Sequence, residues 1–142
     1  ARVLPLWNDA GTVKVLLVGP DREPVDSSVV TACAAYIAGE APIGAAVTVE
    51  SAEGLTVTVA AAVTIDSTTT KAAVQTALAA KLDAYIQSLA FSGYTLLYNR
   101  VAFLLLDIDG VVDYTVLTVN GGTANISIAD NQVPVLGTVT VT

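Results

Sequence analysis

Residues 46–65, AVTVESAEGLTVTVAAAVTI, contain the clearest strand pattern in the chain. We predict a strand at Ala46–Ser51, a turn at Ala52-Glu53-Gly54 and a second strand at Leu55–Ile65, paired as a hairpin. The second strand alternates strictly and is longer than most strands. One face carries the larger apolar residues Leu55, Val57, Val59, Ala61, Val63 and Ile65, and the other carries Thr56, Thr58, Ala60, Ala62 and Thr64. We call the second set the Thr/Ala face; it bears no charge and is either covered by a neighbour or exposed.

The segment before residue 46 has the pattern of a strand followed by a helix. Thr12–Gly19 is rich in Val and lies between turn-forming residues. Asp26 or Ser27 can cap the N-terminus of a helix that extends to about Ala38.

Three residues predict how this helix ends and how the next strand begins. Gly39 stands where a residue in the left-handed conformation commonly follows a helix. Pro42 prevents the helix from resuming, and Gly44 frees the turn that follows.

The segment after residue 65 predicts two helices and further strands. A helix at about Thr69–Ala90 carries an apolar stripe formed by Val74, Ala77, Leu78, Leu82, Tyr85, Ile86 and Leu89. A shorter helix at about Tyr98–Asp107 ends at Asp109-Gly110. The remaining predicted elements are a strand at Val111–Val119, a turn at Asn120-Gly121-Gly122, a short extended piece at Ala124–Ile128 and a strand at Gly137–Val141.

This element order predicts an α+β fold. It matches a split β-α-β (ferredoxin-like) antiparallel sheet with helices on one face, plus a C-terminal strand extension. We expect residues 11–142 to form a single α+β domain, preceded by a lead-in or linker from a preceding domain at residues 1–10. The chain contains no Met and starts at Ala1, so we expect it to be either a processed chain or a fragment of a longer protein.

The composition favours a protein that associates with other proteins. Hydrophobic residues make up 54% of the chain and charged residues only 13%, against a usual charged share of roughly a quarter. Much of the surface is therefore uncharged, which suits burial against a partner better than an isolated monomer. The net charge of −7 argues against nucleic-acid and anionic-membrane partners, because both attract basic clusters.

The sequence offers little reactive chemistry. His is absent, which removes His-dependent nucleophilic sites and the commonest metal ligand. Cys33 lies among Ala and Val in a predicted helix, and we interpret it as an inert thiol. Asp107, Asp109 and Asp113 form an acidic run, but the spacing fails an EF-hand loop at both ends, so we interpret them as solvated carboxylates around a turn. We predict no catalytic, cofactor or metal site.

The order of segments resembles the C-terminal region of the baseplate J-like protein family of contractile phage tails and related injection machines. The resemblance extends from about Gly11 to Val141 and depends on the combination of segments, since none is diagnostic alone. The segments are GTVKVLLVGPDREPVDSSVVTACAAYI (11–37), APIGAAVTVESAEGLTVTVAAAV (41–63), KAAVQTALAAKLDAYIQSL (71–89) and YNRVAFLLLDIDGVVDYTVLTVNGGTANISIADNQVPVLGTVTV (98–141).

The resemblance implies a structural role rather than an enzymatic one. Members of the family are wedge components arranged in a ring around a central hub. The implied partners are other baseplate proteins and copies of the same chain, with no nucleic acid, membrane, small-molecule substrate or cofactor. The implied location is the tail baseplate of a virion, assembled in the bacterial host cytoplasm. The residues carried over are turn positions alone: Gly39, Pro42, Gly44, Gly110 and Gly137.

Two other hypotheses remain open from the sequence. One is a small-molecule-binding or regulatory module on a ferredoxin-like scaffold, which requires a concave pocket with convergent polar groups. The other is an enzyme that uses Asp107, Asp109 or Asp113, which requires these carboxylates to meet in a cleft.

Overall fold

The computed structural model of the chain describes residues 1–41, 44–92 and 94–142 and shows a mixed α+β fold. Within these ranges there are three helices and eight strands. In chain order they are β1 (Arg2–Pro5), β2 (Thr12–Leu17), α1 (Ser27–Glu40), β3 (Ala46–Ser51), β4 (Glu53–Ile65), α2 (Lys71–Leu89), β5 (Thr95–Leu96), α3 (Tyr98–Leu106), β6 (Val111–Val119), β7 (Ile126–Ser127) and β8 (Gln132–Val141).

The N-terminal sheet has the strand order β1-β2-β3. β2 and β3 are parallel, with Thr12 opposite Ala46, and α1 connects them as the crossover helix that parallel neighbours require. The Asp26 side chain caps α1 by accepting a hydrogen bond from Ser28 N at 2.8 Å. β1 pairs antiparallel with β2, so the predicted lead-in contributes a strand to this sheet.

The C-terminal sheet has the strand order β6-β4-β8, with β4 in the middle. β4 is antiparallel to β6, with Val59 opposite Val119, and parallel to β8, with Val59 opposite Val139. The short strands β5 and β7 form a separate two-stranded sheet.

The main core lies between the C-terminal sheet and the two helices that cover it. The apolar face of β4 is buried, as its alternation predicts, and the apolar stripe of α2 packs against it. The fully buried residues of that stripe are Val74, Leu78, Leu82 and Ile86. α3 contributes Val101, Ala102, Leu104 and Leu105 from its inner side. The faces predicted for β4 and α2 are therefore confirmed, and the Thr/Ala face of β4 points away from the core.

The predicted hairpin between β3 and β4 is wrong, and the split β-α-β arrangement in one antiparallel sheet is not confirmed. At the predicted turn the chain passes from one sheet to the other. Ala52 N donates to Leu17 O at 2.9 Å in the N-terminal sheet, and the next amide, Glu53 N, donates to Asn131 O at 2.9 Å beside the C-terminal sheet. Two consecutive amides therefore bind different sheets, which prevents β3 and β4 from pairing with each other.

A small set of contacts joins the two sheets. Ala52, Ala90 and Val133 form a second buried apolar cluster where the chain crosses between them. Arg2 of β1 forms an ion pair with Asp130 at 2.9 Å and donates a hydrogen bond to the Tyr94 hydroxyl at 2.7 Å. The guanidinium of Arg2 also lies 5.1 Å from the centre of the Tyr94 ring. The first strand is thus attached to the C-terminal part of the molecule.

Two of the predicted turn glycines lie elsewhere than expected. Gly39 lies inside α1, which continues to Glu40, so the prediction that it follows the helix end is wrong. Gly137 lies inside β8, next to the irregularity between Val57 and Val59, and not in a turn. A Cβ at Gly137 would lie 2.7 Å from Thr56 Cγ2, so this glycine is required by close strand contact.

Gly44 and Gly110 have the backbone conformations that turn positions require. Their φ angles are +94° and +86°, in the region that favours glycine. Pro42, the remaining predicted turn residue, lies outside the described residues.

We predict that Gly110→Ala destabilises the fold more than Gly121→Ala. Both glycines have positive φ, but a Cβ at Gly110 would lie 2.6 Å from Thr69 Cγ2, whereas one at Gly121 meets no atom of the described ranges within 4 Å. The backbone strain alone costs about 1 kcal/mol, and the added overlap at Gly110 raises the cost to about 3 kcal/mol. Urea unfolding of the two variants measures the difference, and equal losses would contradict the role of the Thr69 contact.

We also predict that Asp66 makes the stability depend on pH in the acidic range. Asp66 Oδ1 accepts hydrogen bonds from the Thr68 hydroxyl and from Thr68 N, and these lower the pKa of the carboxyl below its ordinary value of 3.8. A pKa lowered by folding contributes stability above the unfolded pKa, and that stability is lost as pH falls through the folded pKa. The free energy of unfolding should therefore fall as the pH is lowered through the ordinary pKa of 3.8 and on through the lower pKa of the folded carboxyl.

The control for this prediction is Asp66→Asn, which keeps an oxygen that can accept from Thr68 but removes the titrating group. Urea unfolding of this variant should show a smaller loss of stability over the same pH range. An identical pH dependence in the wild type and the variant would show that the Asp66 carboxyl makes no such contribution.

Candidate interaction surfaces

The three carboxylates of the acidic run have different surroundings. Asp107 is the C-cap of α3 and pairs with Lys81, whose Nζ lies 2.6 Å from Asp107 Oδ2 and 2.7 Å from Asp107 O. Asp109 is exposed and lines the same shallow depression as Asp107. Asp113 lies on β6, away from that depression, and its Oδ1 accepts a hydrogen bond from Tyr114 N at 2.8 Å.

These positions give the acidic run no common site. Asp107 is neutralised by Lys81, and Asp113 faces another surface. The described residues contain no group of three or more His, Cys, Asp or Glu side chains that could hold a metal ion. The arrangement therefore does not supply the cleft that the enzyme hypothesis requires.

A groove lies between α1 and β3 in the described part of the chain. It measures about 300 Å³ and is lined by Ala34, Ile37, Ala38, Ala41, Ala45, Val47 and Val49. Cys33 lies half-buried on the same helix as a free thiol. These lining side chains are all apolar, so they do not provide the convergent polar groups that fix a small molecule in a specific site.

The outward side of the C-terminal sheet is a broad surface with one charge. We call it the open face and define it by the Thr/Ala face of β4 together with Asp113, Val116 and Thr118 of β6 and Thr140 of β8. Cross-strand partners share a face, so Thr64 lies beside Asp113, Ala62 beside Val116, and Ala60 between Thr118 and Thr140. Val116 is 52% exposed, although Leu117 beside it in the chain is buried.

The outward side of α3 is a second exposed surface with a different chemistry. We call it the α3 stripe and define it by Leu97, Arg100, Phe103 and Leu106, which recur every third residue. Phe103 is 52% exposed, and the Arg100 guanidinium lies 5.0 Å from the centre of its ring. Aromatic residues and Arg are enriched in protein–protein interfaces, where their large contact area and charge contribute most of the binding energy.

Sequence reasoning identified the Thr/Ala face but missed the α3 stripe. The signal was present as the three-residue spacing of Leu97, Arg100, Phe103 and Leu106. It was obscured because Leu97, Phe103 and Leu106 are apolar residues of the kind that a helix normally places on its buried side, and only their exposure in the structure assigns them to the outer side. Both surfaces are suited to docking rather than to chemistry.

The helices of the described ranges include none that is both long and apolar enough to span a bilayer.

Two protein families match this chain, one on each side of the segment where the chain passes from the N-terminal sheet to the C-terminal sheet. Residues 57–142 match the family described as Baseplate J-like protein C-terminal domain, and residues 1–51 match the one described as Baseplate J-like central domain. The boundary between the matches includes Ala52 and Glu53, where the chain leaves the N-terminal sheet.

Two proteins of Bacillus subtilis (strain 168) are similar to this chain along almost all of it. The phage-like element PBSX protein XkdT is 29% identical over 146 residues, which cover 98% of this chain and 42% of XkdT. The uncharacterized protein YqbT is 28% identical over 147 residues, which cover 99% of this chain and 42% of YqbT. The chain thus spans less than half the length of either relative.

A solved structure has the same fold. It is a chain in the cryo-EM structure of the anti-feeding prophage (AFP) baseplate, 6-fold symmetrised. The TM-score is 0.63 at 18% sequence identity, and the match covers 88% of this chain and 29% of that chain.

We predict that the exposed apolar residues of the open face contribute little to folding. Val116→Thr should change the free energy of unfolding by no more than about 0.5 kcal/mol, because the side chain is largely in solvent. Leu117→Ala, at the next position, should cost about 2–5 kcal/mol because it leaves a cavity in the core. Chemical denaturation of both variants tests the contrast, and a large loss for Val116→Thr would mean that the open face is needed for stability.

Proposed function

This chain belongs to the Baseplate J-like protein family, and on that premise we propose that it is a structural assembly segment of a phage-type tail baseplate. In this role it is a wedge or ring component of a contractile tail. The observation that carries the proposal is the pair of family matches, which together cover residues 1–51 and 57–142 in chain order. The shared fold with a chain of the AFP baseplate supports it.

The surface chemistry is consistent with a building block. The open face and the α3 stripe leave apolar side chains in solvent, which costs solubility unless a partner covers them. In an assembly with many copies, weak contacts of this kind act together, so no single contact needs high affinity.

The proposed role is non-enzymatic. Its support is the composition and the geometry: His is absent from the sequence, and Asp107, Asp109 and Asp113 are not brought to one cleft. The side chains that line the groove between α1 and β3 are all apolar, so this groove does not support the small-molecule hypothesis.

The partners and the location follow from the proposed role. The partners are other baseplate proteins and further copies of this chain, and the location is the tail baseplate of the virion, assembled in the bacterial host cytoplasm. Nucleic acid and membrane are not among the proposed partners, because a net charge of −7 disfavours contact with polyanionic surfaces.

We further propose that residues 11–142 act as one domain despite their separate sheets. The buried cluster of Ala52, Ala90 and Val133 supports this, because it places the crossing point inside a shared apolar contact. The ion pair between Arg2 and Asp130 joins the first strand to the same unit.

Assembly of tail particles tests the proposed function. In a host that produces the tails, we expect the complete gene product to be recovered in purified particles, and deletion of the region corresponding to residues 1–142 to yield tails without a functional baseplate. Mass spectrometry and electron microscopy of sedimented particles provide the measurement. Normal baseplates in the deletion strain, or particles that lack the gene product, would contradict the proposal.

A further inference from the structure

We propose that the α3 stripe of one copy docks on the open face of a second copy, with Arg100 of the first paired to Asp113 of the second. This inference rests on the proposed function, because it names the surfaces through which copies of a structural component meet. The contact is head-to-tail: each copy offers its α3 stripe on one side and its open face on the other.

The two surfaces lie on opposite sides of the same two-layer unit. Val101 and Leu105 on the inner side of α3 belong to the core that also contains Val57 and Val59 of β4. The outer side of α3 and the outer side of the C-terminal sheet therefore face away from each other. They cannot meet within one copy, but a chain of copies can bring them together repeatedly, either as a closed ring or as an open filament.

The charges of the two surfaces are complementary. Among the six basic residues, Arg2, Lys14 and Lys81 form ion pairs, whereas Arg100 is exposed and has no ion pair among the described residues. Asp113 is also exposed, and in the described ranges its carboxylate makes only the local hydrogen bond to Tyr114 N. On the α3 side Arg100 lines a depression together with Lys81 and Asp107, which pair with each other, so Arg100 is the charge left without an ion pair among the described residues. On the open face that charge is Asp113, of opposite sign.

Exposed apolar side chains share a surface with each of the two charges. Arg100 lies between Leu97 and Phe103, which are 48% and 52% exposed. Val116, 52% exposed, shares the open face with Asp113. Burying apolar neighbours on both sides removes water from the ion pair and strengthens it relative to a pair on an open surface.

The same charges disfavour the two symmetric alternatives. Packing one α3 stripe on another would bring two Arg100 side chains together, and packing one open face on another would bring two Asp113 side chains together. Like charges across a contact oppose binding, so the unpaired charges Arg100 and Asp113 favour the head-to-tail pairing over either symmetric one. The net charge of −7 per copy makes copies repel one another, and an attractive pair at the contact offsets part of that repulsion.

Charge reversal with mixing tests this contact. Sedimentation velocity of the chain over a range of concentrations should show self-association that weakens as salt is added. Arg100→Asp and Asp113→Arg should each weaken self-association about tenfold or more, because each places like charges at the contact. An equimolar mixture of the two variants should associate again, since every contact between unlike copies then pairs opposite charges.

The matched control for Arg100→Asp is Arg22→Asp, which makes the same change of charge at an exposed position outside both surfaces and should leave self-association unchanged. Far-UV circular dichroism of each variant confirms that it is folded, and recovery in the mixture confirms it independently.

Several results would overturn the inference. They are a wild-type chain that stays monomeric at every concentration, association that survives either reversal, and a mixture that fails to associate. Each of these leaves the proposed function intact if the complete gene product is still found in tail particles. Loss of the gene product from particles would instead contradict the proposed function, whatever the chain does alone.

Discussion

The C-terminal part of the fold depends on β4 being hydrogen-bonded along both edges while only one of its faces is apolar. Pairing with β6 and β8 satisfies its backbone groups, and burial of Val57, Val59 and Ala61 beneath α2 and α3 supplies the main core. Because side chains alternate, the same strand must present its Thr/Ala face on the other side. The open face is therefore a direct consequence of the way the core forms, and the uncharged residues there leave it free to pack against a neighbour.

Much of the local structure could be predicted from the sequence, because it depends on short-range patterns. The alternation in β4 identified its buried face, and the spacing of Val74, Leu78 and Leu82 identified the inner side of α2. Gly39 shows the limit of such reasoning: glycine is suited to a helix end, but the helix continues to Glu40 and ends at Ala41 in an extended conformation. The preference of one glycine for a helix end is weaker than the backbone hydrogen bonds of the helix around it.

The pairing of strands could not be predicted in the same way, because it depends on residues distant in sequence. Ala52-Glu53-Gly54 has the composition of a hairpin turn, yet Ala52 bonds to Leu17 and Glu53 to Asn131. Nothing in the local sequence identifies these two partners. The same holds for the interaction surfaces: the Thr/Ala face was visible in the alternation of β4, whereas the exposure of Phe103 depends on how α3 is oriented over the core.

A cryo-EM structure of the assembled tail that contains this chain tests the central claim, that the chain acts through its shape and its contacts, most directly. The account predicts that the chain lies in the baseplate, with the open face and the α3 stripe both buried against neighbouring proteins. A baseplate in which both surfaces face solvent, or a tail in which the chain surrounds a bound substrate away from any protein contact, would contradict it.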